Sequence, residues 1–384
     1  MPVSGLARFY HVMGWGRQIK RLAAFALTAF LAGCASYDDP YFVHSVWRPS
    51  DAAATAADVY FVTDRVKNPQ HPQGFEYRRG DTTSCGVVHA SIPPARLPNG
   101  AEVFAHETGR DAISCGARDI SIARAVAASA HAKHCADVLI FIHGFDTGFE
   151  SAVLRAGQLG SDTQWRCAVL AFSWSSAGKR IRYDADVRNA ELAEPLLADL
   201  LNALKVQGLR VDIVTHSMGA RVALGAVTQT DGVAAGEVIF AAPDIGVEDF
   251  TAALPGTMEH IGRLTIYASD DDAALALSRR FNRGVSRVGR DPSANYGNAN
   301  VDVIDASDAH ADASGHEYYG LSYEVLADMS LVLAGVPAPD RLNPRDAAQP
   351  TLVRDTTYRL NVAADRKPDI FTRTLRWLIS LFAG

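Results

Sequence analysis

The sequence lacks several patterns that would point to whole classes of function. Its 384 residues carry a formal net charge of −6 and contain no long basic run, so nothing favours a nucleic-acid partner. No internal repeat is present, which argues against a solenoid. The group His131, His134 and Cys135 has no second ligand pair downstream, as a zinc site would require. We therefore expect a folded protein with no metal and no cofactor.

Long apolar runs are also missing. The stretch from Leu22 to Leu31 is far shorter than the roughly 20 residues of a membrane-spanning helix. It follows three basic residues, Arg17, Lys20 and Arg21. Small residues and then Cys34 close it, and the whole segment resembles a bacterial lipoprotein signal. The resemblance implies cleavage before Cys34, lipidation of its thiol, and a lipoprotein of the outer membrane that faces the periplasm. The alternative is an ordinary secretory signal with an unmodified cysteine.

Four further cysteines follow: Cys85, Cys115, Cys135 and Cys167. An exported protein meets an oxidising compartment, where an even number of cysteines favours disulfides. Cys135 and Cys167 each precede a predicted strand. If those strands are parallel neighbours, their starts lie side by side and can be bridged, which leaves Cys85 to pair with Cys115. Four cysteines allow three connectivities, so the pairing is a hypothesis, and buried free cysteines are the alternative.

Short apolar runs alternate with helical patterns along most of the chain. Strands are predicted at 59–63, 85–93, 138–142, 168–174, 211–214, 238–242, 263–268 and 301–305. Helical patterns lie between them, as at 149–159 and 187–204. This alternation predicts an α/β fold with a mostly parallel central sheet and helices on both faces.

The same patterns divide the chain into four parts. We expect a signal and lipidation site at 1–34, a tether at 35–57, the α/β domain at 58–337 and a C-terminal extension at 338–384. The apolar end of the extension, from Asp369 to Phe382, either docks on the domain or lies on a membrane surface.

The most informative stretch runs from Thr215 to Gly219. It lies between a β-branched run at 211–214 and a helical pattern at 220–227. A serine in a tight turn between strand and helix is typical of a nucleophile elbow, which exposes the hydroxyl above the sheet. Ser217 is therefore the predicted nucleophile. Gly219 provides the small residue that the turn needs, whereas Thr215 stands where glycine is usual.

A serine nucleophile needs a base, usually a histidine that is oriented by a carboxylate. In an elbow protein the acid and then the histidine follow the serine, on loops after later strands. We expect Asp272 to be the acid, with Asp244 and Asp270 as alternatives. His316 is the expected base, and His310, in a more polar stretch, is its rival.

The developing oxyanion needs two donors. The amide of Met218, directly after the serine, is the first. The second is expected from the loop after the strand at 138–142, where the amide of Phe145 is our choice.

Residues 59–335 resemble a bacterial α/β-hydrolase family catalogued as domain of unknown function 900. The matching pieces are His143-Gly144-Phe145, Phe172-Ser173-Trp174 with Ser176 and Gly178, Tyr183 with Asp186, His216-Ser217-Met218-Gly219, Ala242-Pro243-Asp244, Ser269 with Asp272 and Leu275, 301–305, and Gly315-His316. The resemblance implies an α/β-hydrolase fold and a triad of Ser217, Asp272 and His316, without a settled substrate. Asp146 and Ala220 depart from it, since the family tends to have asparagine at both positions.

The expected function is that of a serine hydrolase, with a carboxylic ester or lipid as substrate. Besides this substrate, the predicted partner of the protein is the membrane, which it contacts through the lipid on Cys34. The sequence leaves the oligomeric state open. Two alternatives stay open: a catalytically silent scaffold or binding lipoprotein with the same fold, and an acyltransferase that uses the same triad.

Overall fold

An eleven-stranded sheet forms the centre of the molecule in the computed structural model, which describes residues 54–93, 105–115, 121–177, 183–309, 311–344, 357–360, 362, 367–368 and 372–377. The strands are β1 (Thr55–Lys67), β2 (Phe75–Ile92), β3 (His106–Ile113), β4 (Asp137–Ile142), β5 (Ala168–Ser173), β6 (Arg210–His216), β7 (Ala235–Ala241), β8 (Ile261–Ala268), β9 (Val301–Asp305), β10 (Asn343–Pro344) and β11 (Thr357–Arg359). Their order across the sheet is β10-β11-β9-β8-β7-β6-β4-β5-β1-β2-β3.

Helices connect these strands. They are α1 (Ser121–Ala132), α2 (Phe149–Asp162), α3 (Tyr183–Val206), α4 (Gly219–Val227), α5 (Val247–Met258), α6 (Ala273–Phe281), α7 (Tyr318–Leu321), α8 (Tyr323–Leu333) and α9 (Ala338–Arg341). A short 3-10 helix spans Val288–Arg290. Within the described parts of the chain, no helix combines the length and apolarity needed to cross a membrane.

The middle of the sheet is parallel and buried on both faces. β6 lies between β4 and β7, and neighbouring strands run parallel throughout the order β9-β8-β7-β6-β4-β5-β1. Side chains of α1, α3, α4 and α5 join one apolar cluster, and those of α2 and α8 join the cluster on the other face. The predicted α/β fold with helices on both faces is confirmed. Because the strands are parallel, the loops that follow β4, β6, β7, β8 and β9 all meet at one edge of the sheet.

Both ends of the sheet extend beyond the predicted strands. β1 begins at Thr55, inside the predicted tether, and pairs antiparallel with β2, which continues into β3. Most of the polar stretch at 64–81 belongs to β1 and β2, in which many of its side chains are exposed or half-buried on an antiparallel hairpin. At the other end β11, from the predicted C-terminal extension, runs parallel to β9.

Two disulfides are present. Cys85 bonds to Cys115 with their Cα atoms 5.5 Å apart, and Cys135 bonds to Cys167 with a Cα separation of 5.7 Å. The second bridge joins the starts of β4 and β5, which are parallel neighbours as expected. Cys34 lies outside the described residues.

Candidate active site

Ser217 occupies a strained turn between β6 and α4. Its φ is +51°, in the left-handed region that side chains other than glycine rarely adopt. Two backbone hydrogen bonds hold it there: the Ser217 amide donates to the carbonyl oxygen of Ala241 at 2.9 Å, and the amide of Asp244 donates to the Ser217 carbonyl at 3.1 Å. The loop after β7 thus fixes the serine backbone.

The turn is also crowded. A Cβ atom on Gly219 would lie 2.5 Å from the carbonyl oxygens of Ile142 and His143, so strand β4 and helix α4 nearly touch at this point. Thr215, at the position where the usual motif has glycine, is fully buried and directs its hydroxyl toward the carbonyl oxygen of Ile239, 3.4 Å away on β7. Its larger side chain is therefore accommodated between the strands.

Asp272 lies directly before α6, in the loop after β8. Its Oδ1 atom accepts the amide hydrogen of Leu275 at 2.9 Å, which caps the helix, and its Oδ2 atom lies 2.6 Å from Nδ1 of His316. The side chain is fully buried. Burial raises the pKa of Asp272, although the charge of His316 and the two hydrogen bonds act in the opposite direction. The neighbouring Asp270 is exposed.

The other candidate acid, Asp244, belongs to a different network. It is buried and accepts hydrogen bonds from Ser278 at 2.6 Å and from the Tyr183 hydroxyl at 2.8 Å. The Nε atom of Arg287 lies 3.1 Å from its Oδ1. These contacts tie the loop after β7 to α3 and α6, and so support the serine turn from one side.

His316 lies in the loop after β9, which Asp312 shapes. The Oδ1 atom of Asp312 accepts the amide hydrogens of His316 at 2.8 Å and of Glu317 at 3.0 Å. Gly315 has φ +74°, and a Cβ atom there would lie 2.7 Å from the carbonyl oxygen of Asp271. The base loop and the acid loop are therefore in direct contact. His310, the rival base, lies outside the described residues.

The protonation of His316 depends on opposing effects. Burial lowers its pKa, but the charge of Asp272 and the hydrogen bond to it, with smaller contributions from Asp312 and Asp244, raise the pKa above its ordinary value overall. The pair is thus arranged to favour an imidazolium beside a carboxylate.

The loop after β4 carries the predicted second oxyanion donor, Phe145. Arg65, buried below the loop, donates from Nη2 to the carbonyl oxygen of Thr147 at 2.7 Å. His143 stacks on Trp174 with ring centroids 5.1 Å apart; burial, and then the charge of Arg65, lowers its pKa to about 3. Neutral His143 therefore serves as a rigid packing element of this loop.

Asp146 in the same loop has φ +55°, a conformation that asparagine and aspartate tolerate better than most residues. The aspartate at this position is therefore compatible with the left-handed backbone. Met218, the other predicted donor, is fully buried and directly precedes the first residue of α4.

A second ionisable cluster, formed by Glu317, His216 and Arg155, includes the residue directly before the serine and was not expected from the sequence. Glu317 is 2 % exposed, and its carboxylate oxygens lie 3.8 Å from Nε2 of His216 and 3.7 Å from Nη2 of Arg155. The ring of His216 stacks on Tyr319 at 4.3 Å and lies 4.6 Å from the ring of His316. Burial raises the pKa of Glu317 to about 8. The available signals were weak: a glutamate next to the predicted base, and an arginine within the apolar pattern of α2.

The described residues contain no group of three or more His, Cys, Asp or Glu side chains able to hold a metal ion. Cys135, considered with His131 and His134 as a weak ligand set, is bonded to Cys167. Its sulfur is therefore not available as a thiolate ligand in this state.

Comparison with known proteins assigns the sequence to a family and shows solved structures that resemble the chain. The chain is similar in structure to a hyperthermophilic esterase from Pyrobaculum calidifontis, at 12 % identity and a TM-score of 0.33, over 88 % of this chain and 98 % of the other. It is also similar to esterase B from Lactobacillus rhamnosis, at 11 % identity and a TM-score of 0.32, over 83 % of this chain and 99 % of the other. No curated protein matches the sequence. The family model described as "Alpha/beta hydrolase of unknown function (DUF900)" matches residues 119–333, more than half of the chain, and the protein therefore belongs to this family.

Proposed function

We propose that this protein is a serine hydrolase that cleaves carboxylic esters, with Ser217 as nucleophile, His316 as base and Asp272 as the group that orients the base. The observation that carries the proposal is the 2.6 Å contact between Asp272 and His316. These two residues follow β8 and β9, at the same edge of the sheet at which Ser217 follows β6. A carboxylate on Nδ1 fixes the imidazole tautomer and leaves Nε2 to exchange protons with the serine.

The reaction proceeds in two halves. The Ser217 hydroxyl gives its proton to His316 Nε2 while Oγ bonds to the ester carbonyl carbon, and the amides of Met218 and Phe145 donate to the resulting oxyanion. His316 then protonates the departing alcohol, and an acyl-enzyme remains. Water attacks this intermediate, its proton passes to His316, and the acid is released as the proton returns to Ser217. An alcohol is an easier leaving group than an amine, which favours an ester over an amide.

The local geometry supports the role of each group. The strained φ of Ser217 is held by hydrogen bonds to Ala241 and Asp244, so the serine is kept in one conformation. Such preorganisation lowers the cost of reaching the transition state. Burial of Asp272 strengthens its interaction with the imidazolium that forms during each proton transfer.

A fluorophosphonate probe tests the proposal directly. We expect the folded protein to be labelled once, at Ser217, and expect labelling to be lost in Ser217→Ala and greatly slowed in His316→Ala. Hydrolysis of p-nitrophenyl esters of increasing acyl length, with Ser217→Ala as the blank, then defines the substrate. Absence of both labelling and hydrolysis would contradict the proposal and favour the scaffold alternative. Transfer of the acyl group to an added alcohol in preference to water would identify an acyltransferase.

We also propose that the protein is anchored in the bacterial envelope through a lipid on Cys34. The signal-like segment before Cys34 and the two disulfides, which suit an oxidising compartment, support this. Metabolic labelling with a clickable fatty acid should mark the wild type and fail to mark Cys34→Ala. Equal labelling of the two proteins would contradict the anchor.

A further inference from the structure

A buried arginine from the C-terminal segment lies between the two loops that carry Asp272 and His316. Arg376 is only 2 % exposed, although it belongs to a part of the chain whose sequence indicated an extension. A guanidinium group is rarely buried without specific partners, because the loss of hydration is costly. Its partners therefore indicate what it does.

The guanidinium contacts both loops at once. Its Nη1 atom donates to Oδ2 of Asp271 at 3.1 Å, in the loop after β8. Its Nη2 atom donates to two carbonyl oxygens of the loop after β9, those of Asp312 at 2.7 Å and Ala311 at 3.3 Å. The planar guanidinium carries several donors at fixed angles and can therefore bond to acceptors on both loops, whereas a lysine ammonium would reach fewer of them.

Both contacted positions are next to the candidate triad. Asp271 directly precedes Asp272. Asp312 orders the base loop by accepting the amide hydrogens of His316 and Glu317. A Cβ atom on Gly315 would lie 3.2 Å from Cδ of Arg376, so the arginine also packs against the residue before His316.

The neighbouring basic residues of the segment bind nearer the start of the loop after β9, at Asp308. Lys367 and Arg373 both contact Asp308, at 2.6 and 3.4 Å, and both are more than a third exposed. Exposed pairs of this kind contribute little to stability. Arg373 therefore provides a matched control: the same residue type, three positions away, on the same segment.

We propose that Arg376 is a positioning residue, which clamps the loop of Asp272 to the loop of His316 and so keeps the two side chains at hydrogen-bonding distance. The proposal rests on the hydrolase function proposed above, but the clamp has a consequence that is independent of turnover. If the loops separate, His316 loses part of its contact with Asp272, and its pKa falls. The ionisable groups around His316 are Asp272, Asp312, Asp244, His216 and Glu317.

The experiment compares Arg376→Ala and Arg376→Lys with Arg373→Ala and wild type. For Arg376→Ala we expect kcat to fall about 10- to 100-fold with KM little changed, since misplacement by about 1 Å costs rates of this order. Arg376→Lys should recover part of the rate. Guanidinium at low, non-denaturing concentration should raise the activity of Arg376→Ala several-fold and should not raise that of Asp272→Asn. Arg373→Ala should behave as wild type.

The independent readout is the pKa of His316, measured by NMR titration of its imidazole in wild type and both alanine variants. We expect a lower pKa in Arg376→Ala and an unchanged pKa in Arg373→Ala. An unchanged His316 pKa in folded Arg376→Ala would overturn the clamp, whether or not the enzyme hydrolyses esters. A lowered pKa in a protein that no fluorophosphonate labels would support the clamp and refute the hydrolase.

Discussion

Nδ1 of His316 lies 2.6 Å from Oδ2 of Asp272, although 44 residues separate them in the chain. The contact joins the end of one loop to the N-terminus of α6, where the second carboxylate oxygen of Asp272 caps the helix. The carboxylate is thus held by the helix on one side and by the imidazole on the other. Any change that releases it affects both the helix and the orientation of His316.

Replacement of Asp272 by asparagine tests this arrangement. The amide is nearly isosteric but cannot stabilise the imidazolium, so we expect kcat to fall about 10³- to 10⁴-fold while the protein stays folded. The exposed Asp270, two residues earlier in the same loop, supplies the control Asp270→Asn, which should retain wild-type kcat and KM. Steady-state kinetics on one ester gives kcat and KM for both variants and for wild type. Equal activity of the two variants would exclude Asp272 as the orienting acid.

The sequence was sufficient to predict the centre of the fold. Continuous apolar runs such as Val138–Ile142 are typical of strands buried on both faces, and β4 occupies that place. The strand–turn–helix pattern around Ser217 is formed by residues that are adjacent in the sequence, so it too can be recognised from the sequence. The candidate acid and the candidate base were predicted from their positions after later strands.

Contacts between distant charged residues could not be predicted in this way. Arg376 and Glu317 look like surface residues in the sequence, because charged side chains are seldom buried and their partners lie far along the chain. The partners of Arg376 are more than sixty residues away. Strand β11 has only three residues, too few to show an alternating pattern. The sequence therefore predicts an extension here, whereas in the structure β10 and β11 extend the sheet and Arg376 contacts the candidate site.

Gly144 lies very close to Ser217 and His216, and a second variant tests whether this close contact matters. A Cβ atom there would lie 2.9 Å from Cβ of Ser217 and 3.1 Å from Nδ1 of His216. We expect Gly144→Ala to displace the serine turn and lower kcat/KM by about 10²-fold, with a stability loss of about 1–3 kcal/mol. The matched control is Gly256→Ala in α5, where an added Cβ atom would have no neighbour within 4 Å outside the adjacent helical backbone, and alanine should stabilise the helix by about 0.5–1 kcal/mol. Gly144→Ala with wild-type kinetics would show that the turn tolerates more space than the geometry implies.

The bridge between Cys135 and Cys167 should stabilise the folded protein. Its sequence separation is 32 residues, and closing a loop of that size in the unfolded chain corresponds to about 3–4 kcal/mol. We expect the double variant Cys135→Ser/Cys167→Ser to lose free energy of unfolding of this order in urea denaturation.

Alkylation without reductant provides the check on the pairing itself. Performed on a Cys34→Ala background, so that only the four remaining cysteines are counted, it should add no label to the folded protein by intact mass. Label on all four thiols would contradict both disulfides and remove the reason for the stability difference.

Glu317 makes the stability of the protein depend on pH in a defined direction. Burial raises its pKa from 4.5 to about 8 in the folded state. Between these values the folded protein holds a proton that the unfolded chain releases, so the free energy of unfolding decreases as the pH rises through this window and levels off above it. The decrease attributable to Glu317 is on the order of 5 kcal/mol across the window.

Glu317→Gln replaces the carboxyl group with a neutral group of the same shape and removes this dependence. We therefore expect the variant to gain stability relative to wild type as the pH rises from about 5 to about 8, which urea denaturation at several pH values measures. The exposed Glu259 supplies the control Glu259→Gln, whose stability should differ from wild type by less than about 0.5 kcal/mol at every pH. If the curves for Glu317→Gln and wild type run parallel, the carboxyl of Glu317 is ionised in the folded state. Arg155 and His216, the two basic side chains near its oxygens, would then be the groups that hold the charge.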